Sequence, residues 1–368
     1  MHTAPKHILQ QLNLAGFEAY FVGGCVRDTL LSRPVHDWDI TTSATPEEVM
    51  QVFPHTVPTG IQHGTVTVVE DGKNYEVTTF RTDGEYLDSR HPQNVQFVRS
   101  LREDLSRRDF TINAMAMDSE GNLTDLFGGQ EDLRAKIIRP VGDGETRFRE
   151  DALRMLRAFR FSAQLDFTIE PKAVNAVKKL HPLCKALSVE RVRDEVEKTL
   201  LAFPKTVAQM ADLGLLMVAR MEQGRDLSFL HDTPTRKDVR WAGLFYAYPH
   251  LSWQDFRLDK RTGQTACETA HLLGQDYDAI AYKGIFAQYG EDVGFCLADL
   301  QHKRPMVEEF IRRGDGIYLR DLAVSGADFP HLQGRELGET LNRLLRHVHA
   351  HPQDNRKERL YEIYRQNL

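Results

Sequence analysis

The chain has 368 residues, of which 41% are hydrophobic and 27% are charged, and its formal net charge is −6. This balance is typical of a folded globular protein, and the length suffices for two to four compact units. The negative net charge excludes a surface coated with positive charge for nonspecific nucleic-acid binding. It remains compatible with a local basic groove.

Neither a membrane segment nor a secretion signal is predicted. No stretch approaches the roughly 20 apolar residues that a transmembrane helix needs, and residues 1–10 lack the apolar run of a signal peptide. The cysteines, at Cys25, Cys184, Cys267 and Cys296, are scattered without metal-ligand spacing. Free thiols in a reducing compartment are the simplest interpretation, so we expect a cytoplasmic protein with no membrane partner.

The first part of the chain alternates strand-like and helix-like segments. The apolar run 19–22 predicts a strand that ends at Gly23-Gly24, and a helix is expected to start at Asp28. The segment 39–42 has the pattern of the end of another strand.

A short helix and a hairpin are predicted next. The helix covers 46–53, because Thr45 can act as its N-cap and Glu48 stands at the spacing of a capping box. The segments 64–70 and 75–80 are strand-like and are separated by an Asp-Gly turn, which predicts a hairpin.

From about Phe148 helical periodicity replaces the strand pattern. Helices are expected around 189–200, 204–219, 265–273 and 337–349. The sequence therefore predicts an α+β fold, with a head of mixed strands and helices followed by an all-helical remainder.

Phosphate-binding features follow the first predicted strand. Glycine lets a backbone approach a phosphate closely, and the N–H groups at the start of a helix favour anions, which points to Gly24. The guanidinium of Arg27 can donate to a triphosphate oxygen.

Two acidic residues, Asp37 and Asp39, stand two positions apart in a segment expected to be extended, so their side chains point the same way. Adjacent carboxylates are costly to ionise together without a cation, and Mg²⁺ supplies one and bridges to nucleotide phosphates. Two-metal phosphoryl transfer uses this arrangement. A solvated Asp-x-Asp after a glycine turn is the alternative interpretation. The glycine turn and the acidic pair together, however, favour a catalytic site.

Five segments in this order resemble the successive motifs of the bacterial (class II) CCA-adding enzymes, which belong to the polymerase β-like nucleotidyltransferase superfamily. They are 23–28, 37–39, 63–66, 107–114 and 150–154. As an ordered set they are highly specific. The C-terminal third resembles the family's variable helical part more loosely.

The resemblance implies a division of the chain. A polymerase β-like nucleotidyltransferase head over 1–138 is followed by a helical neck over 139–200 that recognises the nucleotide base. A helical body over 201–290 comes next, and a helical tail over 291–368 contacts the tRNA.

The resemblance also implies residue roles. Asp37 and Asp39 would be the catalytic carboxylates that bind Mg²⁺, and Asp109 would contact the ribose 2′-hydroxyl. The nucleotide-binding set would be Gly24, Arg27, Arg108, Asp109, Asp151, Arg154, Arg157 and Arg160. Glu76 is a weaker candidate for a third carboxylate, and an outward-facing strand position is the preferred interpretation.

Asp151 and Arg154 are three residues apart, which places them on one face if they share a helix. A helix ion pair worth about 0.2–0.5 kcal/mol is the simple interpretation. However, a carboxylate only accepts and a guanidinium only donates, a combination that suits cytosine and adenine and repels uracil and guanine. The resemblance favours base recognition.

Arg157 and Arg160 continue the same three-residue spacing. A charged row opposite an apolar face is normally solvated, but the family places nucleotide contacts at these two positions. The polar segment 83–92 predicts a surface loop. Family members that add only CC are shortened in this region, and the segment is complete here.

The leading hypothesis is a template-independent, Mg²⁺-dependent enzyme that adds C, C and A from CTP and ATP to the 3′ end of tRNA. One alternative is a poly(A) polymerase, although those relatives usually carry an arginine-rich strand where this chain has 63–68. Others are an A-adding or CC-adding enzyme and a non-catalytic RNA-binding homologue, which Asp37 and Asp39 argue against.

Overall fold

The computed structural model describes residues 3–83, 95–221 and 223–366. The loop predicted over 83–92 lies outside these residues apart from its first position. The chain divides into two compact units. One is formed by Met1–Thr199 with Gln209–Gly224, and the other by Leu200–Ala208 with Arg225–Leu368.

All the described strands belong to the first unit. They are β1 Ala19–Val22, β2 Ile40–Thr42, β3 Thr56–Gly60, β4 Thr65–Glu70, β5 Lys73–Thr79, β6 Arg81–Asp83, β7 Val95–Phe97, β8 Met115–Met117, β9 Leu123–Asp125, β10 Ile137–Ile138 and β11 Thr168–Ile169.

Helices occur in both units. They are α1 Thr3–Leu14, α2 Gly24–Leu30, α3 Pro46–Val52, α4 Leu101–Ser106, α5 Gly129–Ala135, α6 Gly144–Glu150, α7 Leu153–Leu165, α8 Pro171–Leu180, α9 Val189–Ala202, α10 Lys205–Asp212, α11 Lys237–Ala247, α12 Lys260–Leu272, α13 Ala279–Tyr289, α14 Glu291–Leu300, α15 Arg304–Arg312, α16 Gly334–Ala350 and α17 Lys357–Gln366. The division between the units falls within α9 and α10.

The main sheet has the strand order β3-β4-β5-β2-β1-β8-β9. The pair β2 and β5 is parallel, and the other neighbouring pairs are antiparallel. The predicted mixed sheet is therefore confirmed. Because β1 and β2 are neighbours, the chain that leaves β1 lies beside the chain that enters β2.

One face of this sheet is covered by α1 and α3, which pack against β1, β4 and β5. Helix α1 contributes Ile8, Leu9 and Leu12, all fully buried, at the helical spacing of an amphipathic face. Strand β4 contributes Val66 and Val68, which alternate with less apolar neighbours as a half-buried strand requires. This packing makes the sheet a rigid frame for the residues at its strand ends.

Several predicted elements are confirmed. The capping box of α3 is formed, since Thr45 N–H donates to the Glu48 carboxylate at 2.8 Å and Glu48 N–H donates to the Thr45 hydroxyl at 3.3 Å. The hairpin is formed by β4 and β5. Its turn residues Asp71 and Gly72 both have positive φ, 49° and 70°, the turn geometry that suits a two-residue hairpin loop.

Two predicted helix boundaries were wrong. Helix α2 begins at Gly24 rather than Asp28, because Gly23 has φ +76° and is the last residue outside the helical region. Helix α10 ends at Asp212 rather than continuing to Ala219, because Gly214 adopts φ +72° and turns the chain. Glycine reaches this left-handed conformation without steric cost.

The predicted shift to helices is confirmed. After α6 begins, the described chain contains only one further strand, β11, which pairs in parallel with β10. The second unit contains helices and irregular segments around two cores, one centred on Tyr282, Phe286 and Phe310 and another on Phe329 and Leu344. Among the helices of the described residues, none combines the length and apolar character that crossing a bilayer demands.

Candidate active site

The acidic pair lies where the chain enters β2. The strand begins at Ile40, so Asp37 and Asp39 occupy the segment directly before it. The strand end predicted over 39–42 is present except for its first residue, Asp39. The carbonyl of Asp39 nevertheless accepts a hydrogen bond from the N–H of Val22 at 3.0 Å. This bond holds Asp39 beside the end of β1.

Glu76 lies next to the acidic pair. Ile40 is paired in register with Val77 across the parallel strands β2 and β5, so the preceding residues Asp39 and Glu76 are also neighbours. Glu76 is exposed, as expected for an outward-facing strand residue, but its exposed side lines the same cavity as Asp37 and Asp39. The volume of this cavity is about 620 Å³.

Burial raises the pKa of Asp39, and the negative charges of Glu76 and Asp37 act in the same direction, while Arg108 opposes them. Within the described residues none of these three carboxylates forms a side-chain hydrogen bond or an ion pair. Like charges that converge without a bound partner are stabilised by a cation. Asp37 and Asp39 therefore have the oxygen donors that a hard divalent cation prefers.

Among the described side chains, no group of three or more His, Cys, Asp or Glu forms a complete metal cage. A two-carboxylate site still fits a small divalent cation, because such ions keep several water ligands and take further oxygens from substrate phosphates. Asp37 and Asp39 therefore suit a metal site in which water and the substrate supply the remaining oxygen ligands.

The glycine turn after β1 brings Arg108 to the same place. A Cβ atom at Gly23 would lie 3.0 Å from Nη1 of Arg108 and 3.6 Å from Oδ2 of Asp39. Arg108 donates to the buried carboxylate of Asp104 at 3.3 Å, and its Nε is buried without a hydrogen-bond partner. A backbone turn, a carboxylate and a guanidinium thus meet at one point.

Arg27 is held in a fixed orientation next to this turn. Its Nε and Nη2 donate to Asp28 at 2.9 and 3.0 Å, and its Nη1 donates to Oδ1 of Asn113 at 2.8 Å. A Cβ atom at Gly24 would lie 3.5 Å from Nη2 of Arg27. The predicted residues Gly24 and Arg27 are therefore adjacent.

Asp109 is the centre of a hydrogen-bond cluster. Its Oδ1 accepts from the N–H of Phe110 at 2.8 Å and from Asn113 at 3.1 Å, and its Oδ2 accepts from Nε of Arg157 at 2.7 Å. Burial alone would raise the pKa of Asp109, but Arg157 and Asn113 outweigh it and lower the pKa to about 2. Asp109 is therefore a carboxylate at neutral pH.

The side chains of Arg157 and Arg160 do not simply face solvent, because both approach the buried carboxylate of Glu195. Arg160 is 8% exposed and contacts Glu195 at 2.5 Å, while Arg157 lies 3.9 Å from the same carboxylate. The guanidinium groups of Arg160, Arg27 and Arg157 lie 4.0, 5.1 and 5.3 Å from the centre of the Phe161 ring. The structure thus brings three predicted arginines together around one aromatic ring.

The prediction that Asp151 and Arg154 share a helix was wrong. Helix α6 ends at Glu150 and α7 begins at Leu153, and Asp151 stands between them in an extended conformation with φ −141° and ψ 107°. Oδ1 of Asp151 accepts the N–H of Leu153 at 3.0 Å. An aspartate that binds the N–H two residues ahead competes with the helix and starts a new one.

The two residues also have separate partners. Asp151 is bound by Arg191 at 2.7 Å, and Arg154 is bound to Glu150 at 2.5 Å and donates to the carbonyl of Arg107 at 3.0 Å. The simple interpretation as a mutual ion pair was therefore wrong as well. Asp151 and Arg154 each form an ion pair with a different residue and not with each other.

Two family models match the chain. The model described as "Poly A polymerase head domain" covers residues 19–139, and the model described as "Probable RNA and SrmB- binding site of polymerase A" covers residues 166–219. The first match contains four of the five motifs, and the fifth, at 150–154, lies between the two matches.

Full-length relatives determine the family. A CCA-adding enzyme of Enterococcus faecalis is 51% identical over 379 aligned positions, covering 95% of this chain and 92% of the relative. The chain belongs to the CCA-adding enzyme family. The CCA-adding enzyme of Lactobacillus helveticus reaches 61% identity over 191 residues, and that alignment covers 52% of this chain and 48% of the relative.

A solved structure supports the same assignment. The Bacillus stearothermophilus CCA-adding enzyme in complex with CTP superimposes with a TM-score of 0.83 at 36% sequence identity, covering 99% of this chain and 96% of that one. CCA-adding enzymes are nucleotidyltransferases that generally need a divalent metal. The donor chemistry of Asp37 and Asp39 agrees with that requirement.

Several residues of this CCA-adding enzyme site were not among the predicted ones. Those that hold predicted residues in place are Asp104, Asn113, Glu150, Phe161, Arg191 and Glu195. One sequence signal was available for Glu195. It stands on α9 beside the buried Val192 and Val196, on a stripe where a charge needs a partner.

The basic residues of the C-terminal region are largely paired. Arg335 contacts Glu339 at 2.7 Å and Lys357 contacts Asp328 at 2.5 Å, and in both pairs at least one side chain is exposed. Exposed ion pairs contribute little to stability. Contact between the tail and tRNA stays a prediction.

The lowered pKa of Asp109 predicts a pH-dependent contribution to stability. Since the folded-state pKa lies below the unfolded one, the contribution is complete above about pH 5 and is lost as pH falls towards 2. Asp109→Asn removes it. Between about pH 6 and about pH 3, the free energy of unfolding should therefore fall less in Asp109→Asn than in the wild type, by about 1 kcal/mol.

Urea unfolding at a series of pH values measures this difference. Parallel pH profiles for the two proteins would contradict the prediction, whatever the absolute stability of the variant.

Proposed function

We propose that this protein adds C, C and A in turn to the 3′ end of tRNA, using CTP and ATP and releasing pyrophosphate without a nucleic-acid template. The observation that carries the proposal is the convergence of Asp37 and Asp39 with the glycine turn and Arg108. Family membership and the CTP-bound structure of the Bacillus stearothermophilus relative support it.

We further propose that Asp37 and Asp39 bind Mg²⁺ and that Glu76 contributes negative charge beside them. In phosphoryl transfer such an ion neutralises triphosphate charge and polarises the attacking hydroxyl. The two carboxylates fix where that charge lies relative to the glycine turn. Catalysis then comes from positioning and electrostatics rather than from covalent chemistry of the protein.

The incoming nucleotide would be held from two sides. The backbone at Gly24 and the guanidinium groups of Arg27 and Arg108 supply donors for the triphosphate. Asp109 accepts a hydrogen bond from the ribose 2′-hydroxyl. Arg157 and Arg160 add positive charge behind Asp109 and complete the nucleotide-binding set.

Asp151 and Arg154 would read the base. Asp151 accepts from the exocyclic amine of cytosine or adenine, and Arg154 donates to the ring nitrogen beside it. Uracil and guanine would leave polar groups unpaired in the pocket, which costs about 1–3 kcal/mol each. The partners Arg191 and Glu150 support this role because they restrict where the two side chains point.

We assign the catalytic head to 1–138, the neck to 139–200, the body to 201–290, and the tail, which contacts tRNA, to 291–368. We place the enzyme in the cytoplasm. The described cysteines are all free, and Cys25, Cys184 and Cys296 are buried, which supports a reducing compartment.

Primer extension tests the proposed function. The substrates are tRNA transcripts that end before CCA, after C and after CC, each supplied with one nucleotide at a time and Mg²⁺. The expected result is addition of C, C and A in that order, followed by a stop. Long A tails on any RNA would instead show a poly(A) polymerase, and extension of only one of the transcripts would show a split-function enzyme.

Asp39→Ala tests the metal site. Removal of the carboxylate should lower kcat on the order of 10³-fold, because a preorganised charge at the reacting phosphate is lost. The melting temperature should not fall, because Asp39 has no ion-pair or hydrogen-bond partner for its side chain among the described residues. The comparison variant is Glu47→Ala, an exposed carboxylate on α3. A kcat close to the wild-type value in Asp39→Ala would contradict the assignment of Asp39 to the metal site.

Asp151→Ala tests base recognition. Loss of the acceptor should relax discrimination against UTP and GTP by about 10-fold or more, measured as the ratio of kcat/KM values for CTP and UTP. Asp143→Ala is the matched control, since Asp143 caps the N-terminus of α6 and lies outside the proposed pocket residues. Equal selectivity in the wild type and Asp151→Ala would return Asp151 to a purely structural role.

A further inference from the structure

A cleft beside the acidic pair lies between two segments of the chain that run in the same direction. The parallel pairing of β2 with β5 begins at Ile40 and Val77. The residues directly before them, 35–39 and 73–76, line the cavity of about 620 Å³ described above, together with Thr67. The cleft can therefore take one small ligand or the end of a longer one.

One wall of the cleft carries Asn74, a neutral polar residue close to the acids. Glu76 and Asp39 are level with each other, as the register of β2 and β5 shows. Two residues earlier in each segment stand Asn74 and Asp37. Alternate residues of a strand face the same side, so Asn74 points the same way as Glu76. Asn74 is exposed, and within the part of the chain that the structure describes its side-chain amide has no hydrogen-bond partner.

The two sides of the acidic pair differ. In the strand order β5-β2-β1, the segment that enters β2 has the glycine turn on its β1 side and the cleft on its β5 side. Gly23 and Arg108 adjoin Asp39 on the first side. The described residues that line the cleft include none of the arginines proposed to hold the triphosphate. The proposed triphosphate site and the cleft therefore lie on different sides of the pair.

The chemistry of phosphoryl transfer gives the two sides different substrates. In-line displacement places the attacking and the leaving oxygen on opposite sides of the phosphorus atom. In the proposed function, pyrophosphate leaves on the side of the glycine turn. The attacking hydroxyl must then approach from the side of the cleft, and this hydroxyl belongs to the last nucleotide of the RNA.

We propose that the cleft binds the 3′-terminal nucleotide of the tRNA, and that Asn74 positions this nucleotide by a hydrogen bond to its ribose 2′-hydroxyl. The inference rests on the proposed function and assigns a site to its RNA substrate. A side-chain amide donates and accepts, and so does the 2′-hydroxyl. The 2′-hydroxyl is adjacent to the attacking 3′-hydroxyl, so a bond to it holds the attacking oxygen near Asp37 and Asp39.

Asn74→Ala tests the inference in the full-length enzyme. With tRNA that ends before CCA and with saturating CTP, kcat/KM for tRNA should fall about 5-fold, the effect of losing one ordinary hydrogen bond. KM for CTP should stay at the wild-type value, because Asn74 faces the RNA side of the acidic pair. The melting temperature should not change, since the side chain is exposed.

A chemical change in the RNA tests the same contact without a variant. The probe is the same tRNA with a 2′-deoxyribose at its last nucleotide, which retains the attacking 3′-hydroxyl. The wild type should lose about 5-fold in kcat/KM on this RNA. Asn74→Ala should use both RNAs equally well, because the bond to the 2′-hydroxyl is already lost.

Asn175→Ala is the matched control. Asn175 is an exposed asparagine of α8 and does not line the cleft. Its variant should have the wild-type kcat/KM on the natural RNA and the wild-type loss on the deoxy-terminated RNA.

The outcomes separate the inference from the proposed function. An unchanged kcat/KM for tRNA in Asn74→Ala, or a rise in KM for CTP as large as the loss on tRNA, would overturn the inference. Equal use of both RNAs by the wild type, or the wild-type preference in Asn74→Ala, would overturn it as well. All four results leave CCA addition intact, whereas a wild-type enzyme that adds no C to any tRNA would overturn the proposed function itself.

Discussion

The site depends on the pairing of β1 with β2 in the middle of the sheet. The bond between Val22 N–H and the Asp39 carbonyl joins the end of one strand to the start of the other. The chain leaves β1 through a glycine turn and enters β2 through an acidic segment, so this pairing brings a backbone that suits phosphate together with carboxylates that suit a cation. The parallel strand β5 then adds Glu76 to the same cavity.

Charge balance is the second constraint on the molecule. Arg27, Arg154 and Arg160 are each less than a tenth exposed, and such groups are tolerated only with acidic or carbonyl partners. Those partners come from distant parts of the sequence, such as Glu195 for Arg160. The ion pairs therefore connect Asp109, α7 and α9 within the first unit, and they orient the arginine side chains for which we propose nucleotide binding.

Local features of the structure were predictable because short-range chemistry determines them. The capping box at Thr45, the Asp-Gly hairpin and the strand 19–22 follow from spacing and turn preference, and all three are present. Helix ends were less predictable. The break between α6 and α7 depends on one aspartate side chain that binds the backbone two residues ahead, and helical periodicity does not reveal such a contact.

The contacts within the candidate site could not be predicted from the sequence. The structure brings several of the predicted residues together, but their partners were missed, because sequence spacing does not show which acid faces which arginine across helices. Asp151 and Arg154 illustrate this, since each is bound by another residue. A buried charge on an apolar stripe, as at Glu195, is the one signal that was overlooked.

Gly23 makes the turn after β1 sensitive to substitution. Its φ of +76° strains any other residue, and a Cβ atom there would lie 3.0 Å from Nη1 of Arg108, so that guanidinium would have to shift. A larger residue at this position would therefore act first on Arg108 and Asp39, the two side chains that we propose meet the nucleotide and the metal.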